Sequence, residues 1–257
     1  MSEAVVRPQV PGTARQLAAL MRMELIALRR NMTAAAISVV TPLTIAFVLA
    51  AQYEGGASQG IERMASVLAL VVVFGVHHHL VTVYASRRQE LVLKRMRAGI
   101  PADGTILAGA ALATLALFLV QAGILIGYGV LGLGLPAPEN PVVIVLALAL
   151  GAASMAAIAA ALSAITRDSE AAMLTSLPTV ALFLATPGVL VPLGTLPGGV
   201  EEVASYLPLA PFTEVIREGW AGAGVVGLLP ELGVLVAWAA VASLLARAVF
   251  RWEPRSR

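Results

Sequence analysis

RRQELVLKRMR, residues 87–97, is the one dense run of charge between two long apolar regions, and its reading decides the fold. The cations Arg87, Arg88, Lys94, Arg95 and Arg97 stand against the single acid Glu90. Leu91, Val92 and Met96 are spaced so that part of a short helix can lie against another surface. Glu90 and Lys94 are four residues apart in the favourable orientation for a helical ion pair. Gly99 and Pro101 form a helix stop, and Asp103 is placed to cap the helix that follows. The stretch reads as a short rigid helix joined to an apolar segment on either side, a handle by which a partner could move them. A plainer reading is a basic loop that sets topology and binds anionic lipid. Composition alone favours the loop; the internal order favours the handle.

Outward from this stretch the chain is built for lipid. Of its 257 residues 59% are hydrophobic and 12% charged, where a soluble domain carries about 25% charge. The class is therefore an all-α integral membrane protein, and one membrane domain accounts for residues 1–257. Cysteine is absent, which excludes disulfides and cysteine metal sites. The first 30 residues are basic and amphipathic but lack a compact apolar core followed by a cleavage site, so no signal peptide is expected.

Residues 1–13, with Pro8, Pro11 and Gly12, read as a flexible tail. In residues 14–30, Arg15, Arg22 and Arg29 share one helical face while Leu17, Leu20, Met21, Leu25 and Leu28 fall largely on another. That is the pattern of a helix lying on an anionic membrane surface, or of an amphipathic helix packed on protein. Crossing the hydrocarbon takes about 20 helical residues. Six stretches within 31–250 qualify: 31–52 with Pro42 as a kink, 64–86, 105–133, the Ala- and Gly-rich 141–166, a segment from 171 bent or broken by Pro178, Pro187 and Pro192, and 229–250 with Arg247 snorkelling. Residues 251–257 form a second tail.

With six spans both termini share a side. Fifteen of the 17 Lys and Arg then fall on it, leaving Arg63 and Arg217 opposite. An excess of this kind places both termini in the cytoplasm. The outer side carries Glu54, Glu62, Glu139, Glu201, Glu202, Glu214, Glu218 and Glu231. Within its long segment 193–225, two short helices are expected, over 197–206 and 211–220. Val200, Val203 and Leu207 share a face of the first, and Val215, Ile216 and Trp220 one of the second. Such helices lie in the interface or dip back into the protein.

No chemistry-bearing motif is present: no GxxxxGK[ST] phosphate loop, no GxGxxG after a strand, no GxSxG and no HExxH. His77, His78 and His79 are the most conspicuous polar residues inside a span. Consecutive helical residues point about 100° apart, so they cannot converge on one metal ion. Packing and hydrogen bonding is the first reading for them, contact with a cavity or substrate the second, and proton or metal chemistry the third. Gln121 and Glu24 are expected to be satisfied by neighbouring helices.

Three features together resemble the permease subunit of an ABC-2 type ABC transporter, close to the daunorubicin-resistance-type exporters of bacteria. The helix at 14–30 is similar to the family's connecting helix. RRQELVLKRMRAGIPADGTILAG, residues 87–109, resembles the family segment with an acid in a basic setting followed by proline. SLPTVALFLATPGVLVPLGTLPGGVEEVASYLPLAPFTEVIREGW, residues 176–220, resembles the signature over the fifth span and outer re-entrant helices. One departure is visible: where the family has a tight acid–glycine pair, this chain has Glu90 followed by Leu91.

The resemblance implies a plasma-membrane efflux permease with no catalytic residues of its own. It would work with a second copy or a related permease, in contact with membrane lipid and without nucleic acid. ATP and Mg would be bound by a separate ABC ATPase subunit. Residues 87–97 would be the coupling helix, with Arg88, Glu90, Leu91, Lys94 and Arg95 toward the ATPase. Pro211, Glu214 and Arg217 would belong to an extracellular gate. The substrate would be amphipathic: a drug, secondary metabolite, lipid or glycan. A secondary carrier or channel using the histidines is the alternative; a membrane enzyme would need a catalytic constellation the sequence lacks, and a fourth class is an assembly or sensor protein whose cytoplasmic loop recruits a partner without transport.

Overall fold

The computed structural model describes residues 12–30, 32–52, 55–99, 101–186, 188–192 and 194–253. Most of the tail expected at 1–13, and residues 254–257 of the second tail, lie outside them. Apart from one isolated bridge residue at Val191, the described regular structure is helical. It comprises α1 (Thr13–Arg30), α2 (Met32–Ala51), α3 (Ala57–Val72), α4 (His79–Gln89), α5 (Val92–Arg97), α6 (Asp103–Leu131), α7 (Pro141–Ser163), α8 (Ala171–Leu184), α9 (Gly198–Ala204), α10 (Leu209–Trp220) and α11 (Leu229–Val249). A π-helical segment, Val73–His78, joins α3 to α4, so that 57–89 is one rod of 33 residues. The second expected span is thus longer than its apolar core.

Among the described residues four helices are long and apolar enough to cross a membrane: Ala57–Gln89, Asp103–Leu131, Pro141–Ser163 and Val225–Val249. Two of the six expected spans are represented by shorter apolar stretches, Val39–Ala51 and Ala171–Leu184. At 14 residues α8 is only about 21 Å long. It contains Pro178 and stops before residue 187, as the prolines there dictate. Large apolar side chains such as Leu131, Leu174, Val120 and Val241 are exposed on the helices. A surface of that kind suits hydrocarbon and would be a liability in water.

The core lies between the rod α3–α4 and helices α6, α7, α10 and α11. Small residues set how closely these approach. On α7, Ala147, Ala152 and Ala159 are buried, and a methyl group at Gly151 would overlap the ring of Phe212 on α10. Close packing of small residues is how helices associate where lipid removes the hydrophobic driving force. Ser154 donates from α7 to the Leu235 carbonyl of α11 at 2.9 Å. The α1 helix packs along α6, with Leu20 seated on Gly109. Leu20 thus follows the packed-on-protein reading of this helix, while Met23 and Ile26, off the expected apolar face, stay exposed. Glu24 pairs with Arg87 of α4, as expected, whereas Gln121 is buried with its Oε1 against Gly75 and without a hydrogen bond to that oxygen among the described residues.

One end of the bundle gathers the basic stretches. The end of α4 meets the end of α7 and the turn after it there through Arg88 and Gln89, and α5 meets the segment after α11 through Lys94. The other end gathers the acidic loops. There α9 exposes Val200 and Val203 and buries no residue, so of the two expected placements, in the interface or dipping back into the protein, its apolar face does not take the second. In α10, by contrast, Val215, Ile216 and Trp220 are all buried as their spacing predicts. Its end is sewn to the α6–α7 connection by Trp220 Nε1, which donates to the Pro136 carbonyl at 2.8 Å, and by Asn140 N, which donates to the Gly219 carbonyl at 3.1 Å.

Candidate functional site

At the basic end the charged stretch does not form one helix. α4 ends at Gln89, and Leu91 takes φ +60°, the left-handed conformation, before α5 begins at Val92. It is the single non-glycine residue with positive φ among those described. The chain therefore turns a corner between Glu90 and Lys94, and the expected ion pair between them does not form. Glu90 instead accepts from Ser86 Oγ at 2.8 Å, and Lys94 Nζ meets Glu253 Oε1 at 2.9 Å. The helix stop at Gly99 is present: Gly99 N donates to the Met96 carbonyl at 3.0 Å. Asp103 does not cap α6. It is that helix's first residue, makes no capping bond, and pairs with Arg97 Nε at 3.1 Å.

Four of the five residues expected to face a partner are on the surface here. Glu90, Lys94 and Arg95 are exposed, and Leu91 is 41% exposed. Arg95 reaches the Glu90 carbonyl at 3.5 Å. Arg88 is the exception. It is 2% exposed and turned into the protein, where Nη1 donates to the Ser163 carbonyl at 2.8 Å and Nη2 to the Thr166 carbonyl. A guanidinium is suited to this: its fixed fork reaches two main-chain carbonyls at the end of α7 at once, of which that of Ser163 also accepts from Thr166 N at 3.2 Å. Arg88 is therefore a structural clasp on the end of α7 and not part of the exposed face. Leu93, buried at 1%, anchors α5 from below.

At the acidic end a cavity of about 1050 Å³ opens among α3, α10, α11 and the segment 188–206. Glu62, Arg63, Glu201, Glu214, Arg217 and Glu231 line it. It thus collects both of the arginines that the charge count leaves on this side. Pro211, Glu214 and Arg217, expected from sequence to act together, all line it. Arg217 Nη2 lies 2.5 and 2.6 Å from the two carboxylate oxygens of Glu214, and its Nε is 3.5 Å from Glu218. Glu201 accepts from Gly194 N at 2.7 Å. Glu231 Oε2 is buried without a hydrogen-bond partner among the described residues. The role of Glu62, Arg63 and Glu231 in one cavity was not visible in the sequence, because it depends on how α3 and α11 meet.

The histidines line neither this cavity nor the smaller apolar one between α6, α7 and α11. They lie where the π segment passes into α4. His77 Nε2 is 3.0 Å from Thr179 Oγ1, and His78 Nδ1 is 2.8 Å from Ser176 Oγ. Thr179 donates its proton to the Ser176 carbonyl at 2.8 Å and Ser176 donates to the Met173 carbonyl at 3.2 Å. Each hydroxyl thus bonds back into α8, so the ring N–H groups are assigned as the donors across the gap. The two histidines stitch the rod to α8 around Pro178, and the ring of His77 also meets that of Phe183 edge-on at 5.5 Å. No group of three or more His, Cys, Asp or Glu that could hold a metal is found among the described residues.

The sequence of residues 64–248 matches the family model described as ABC-2 family transporter protein. A search of curated proteins returned no match.

Proposed function

Because the chain belongs to the ABC-2 transporter family, we propose that it is the permease subunit of an ATP-driven exporter. In this reading it crosses the bacterial plasma membrane six times, with α2 and α8 completing the four long spans. The basic end lies in the cytoplasm, following the distribution of Lys and Arg. A separate ATPase subunit binds ATP and Mg and closes against the basic end. A second permease copy, or a related one, completes the pathway. The substrate is amphipathic, since the described spans offer apolar surface and few intramembrane charges.

The observation that carries the reading is α5. It is a short helix with an exposed basic and apolar face, held from below by Leu93 and at its ends by Lys94–Glu253 and Arg97–Asp103. A helix held in this way transmits a push, whereas a loose basic loop would absorb it. On the far side the acidic cavity, lined by the Glu214–Arg217 pair, is the proposed exit, and Pro211, Glu214 and Arg217 belong to its gate. The engagement of His77 and His78 by Thr179 and Ser176 supports a packing role for them over that of coupling groups in a secondary carrier.

The test is co-purification with the candidate ATPase, followed by ATP hydrolysis in nanodiscs. Glu90→Ala and Arg95→Ala should assemble normally and lose about tenfold of the permease-stimulated hydrolysis. If both variants stimulate hydrolysis as the parent does, the coupling role of α5 fails.

A further inference from the structure

α5 is joined covalently to α4 and α6, but α11 reaches the same end of the bundle from the far end of the sequence. Phe250, the first residue after α11, leaves the helix in an extended conformation. Its ring meets Tyr84 of α4 edge-on at 5.8 Å, and Trp252 meets Phe250 at 5.0 Å. The guanidinium of Arg97 lies 5.0 Å from the centre of the Trp252 ring. Arg97 also pairs with Asp103 of α6, while Glu253 pairs with Lys94. Tyr84, fully buried, closes the circuit by donating from its hydroxyl to the Leu107 carbonyl of α6 at 3.1 Å.

We propose that Phe250, Trp252 and Glu253 are a strap that ties the last long helix to α5, so that a displacement of α5 moves α11 as well as α4 and α6. The inference rests on the reading of α5 as the ATPase's handle. An aromatic and a basic residue at the end of a membrane helix commonly do no more than anchor it at the interface. Here Trp252 does not face outward as an anchor: it is half-buried between Phe250 and Arg97. Each contact is weak on its own, but three side chains within four residues, Phe250, Trp252 and Glu253, reach α4 and α5 at once. The connection has a destination. α11 begins at the acidic cavity, which Pro230, Glu231 and Val234 line, so the strap gives a route from α5 to that cavity that bypasses the covalent chain. Trp252 and Phe250 are thus positioning residues that act through Arg97 and Tyr84.

The experiment uses the full chain in nanodiscs with its ATPase, exploiting the absence of native cysteine. Spin labels on Ala98→Cys and Ala248→Cys, both exposed, report the tie between α5 and α11. A single Val234→Cys, labelled from outside with an impermeant maleimide, reports movement at the cavity. The parent should show a narrow label separation that Mg-ATP leaves unchanged, and a labelling rate at residue 234 that Mg-ATP changes. Trp252→Ala should broaden the separation and reduce the ATP-dependent change in labelling about fivefold. ATPase binding and hydrolysis should stay at parent levels, and Trp252→Phe should restore both reports. An unchanged separation in Trp252→Ala overturns the tie. A broadened separation with labelling still fully ATP-dependent overturns the transmission. If no ATPase binds the parent, the handle reading fails and transmission falls with it, while the separation still decides whether the tie exists.

Discussion

Arg88 donates to the Ser163 carbonyl at 2.8 Å and to the Thr166 carbonyl, so a cation from the basic stretch closes the end of α7. Three separate pieces of chain meet at that point: the end of α4, the end of α7 and the turn toward α8. A buried cation at a helix C-terminus gains from the helix dipole as well as from its hydrogen bonds. Truncating it removes a charged donor from two buried carbonyls and leaves that of Ser163 with only the Thr166 N–H.

Arg88→Ala should therefore lower unfolding stability by about 3 kcal/mol, the size expected for hydrogen bonds to a buried charge. Arg88→Lys should recover less than half of this, because an ammonium cannot reproduce the two-pronged geometry. Thermal unfolding of the purified chain in detergent measures both. A lysine variant as stable as the parent would show that charge alone matters and that the fork does not.

Leu91 gives a second test. A left-handed conformation costs a residue with a Cβ about 1–2 kcal/mol, and glycine adopts it without that cost. Leu91→Gly should leave the fold intact and its stability equal to or slightly above the parent's. Leu91→Val, branched at Cβ, should be the less stable of the two by about 1 kcal/mol or more. Paired melting curves decide the matter: if the valine variant melts above the glycine variant, the backbone strain assigned to residue 91 is absent.

The same residue shows how much the sequence could tell. The resemblance places a glycine after the acid, and this chain has leucine there; only the backbone shows that Leu91 keeps the left-handed corner regardless. The expected Glu90–Lys94 pair failed for that reason, since helical spacing says nothing once the helix turns. Apolar length and charge placement were legible from residues alone, so the four long helices and the gathering of basic segments at one end came through. The inward turn of Arg88 was not legible, because its partners are main-chain carbonyls about 75 positions away. Trp252 was hidden likewise: an aromatic beside arginines reads as an interface anchor until α5 is seen to lie across it. The histidine partners Ser176 and Thr179 carry no local signal, since both hydroxyls could have been spent within α8.

Those partners can be weighed by a double-mutant cycle. His78→Ala and Ser176→Ala should each destabilise, and the double variant should be less destabilised than their sum. A coupling of about 0.6 kcal/mol is the usual worth of a side-chain hydrogen bond between membrane helices. Strict additivity would mean that the 2.8 Å contact contributes nothing, and the stitching role of the histidines would then be wrong.

The seat of α10 rests on Gly151, where a methyl group would overlap Phe212. Gly151→Ala should cost about 1–3 kcal/mol, the range for overpacking a full core. Phe212→Leu in the same chain should return part of that loss, although the change alone destabilises. If the alanine variant melts with the parent, α10 does not sit as closely on α7 as described.

The Glu214–Arg217 pair sits at the cavity with both side chains about one-third exposed. At that exposure the pair is worth only about 0.5 kcal/mol to stability, so its purpose is better sought in the cavity than in the fold. Thr213 lies beside it, lines the same cavity and is 6% exposed. A cysteine there, in a chain with no other, reports whether the pair restricts entry. Arg217→Gln in Thr213→Cys should leave the melting temperature nearly unchanged and raise the rate of labelling by an impermeant maleimide about tenfold, since opening a part-exposed charge pair held through one guanidinium nitrogen costs little else. The exchanged pair, Glu214→Arg with Arg217→Glu, restores the attraction with the charges reversed and should bring the rate back toward the parent. If Arg217→Gln labels no faster than the parent, the pair does not gate the cavity. If the exchanged pair labels as fast as Arg217→Gln, a particular arginine and not the ion pair governs access.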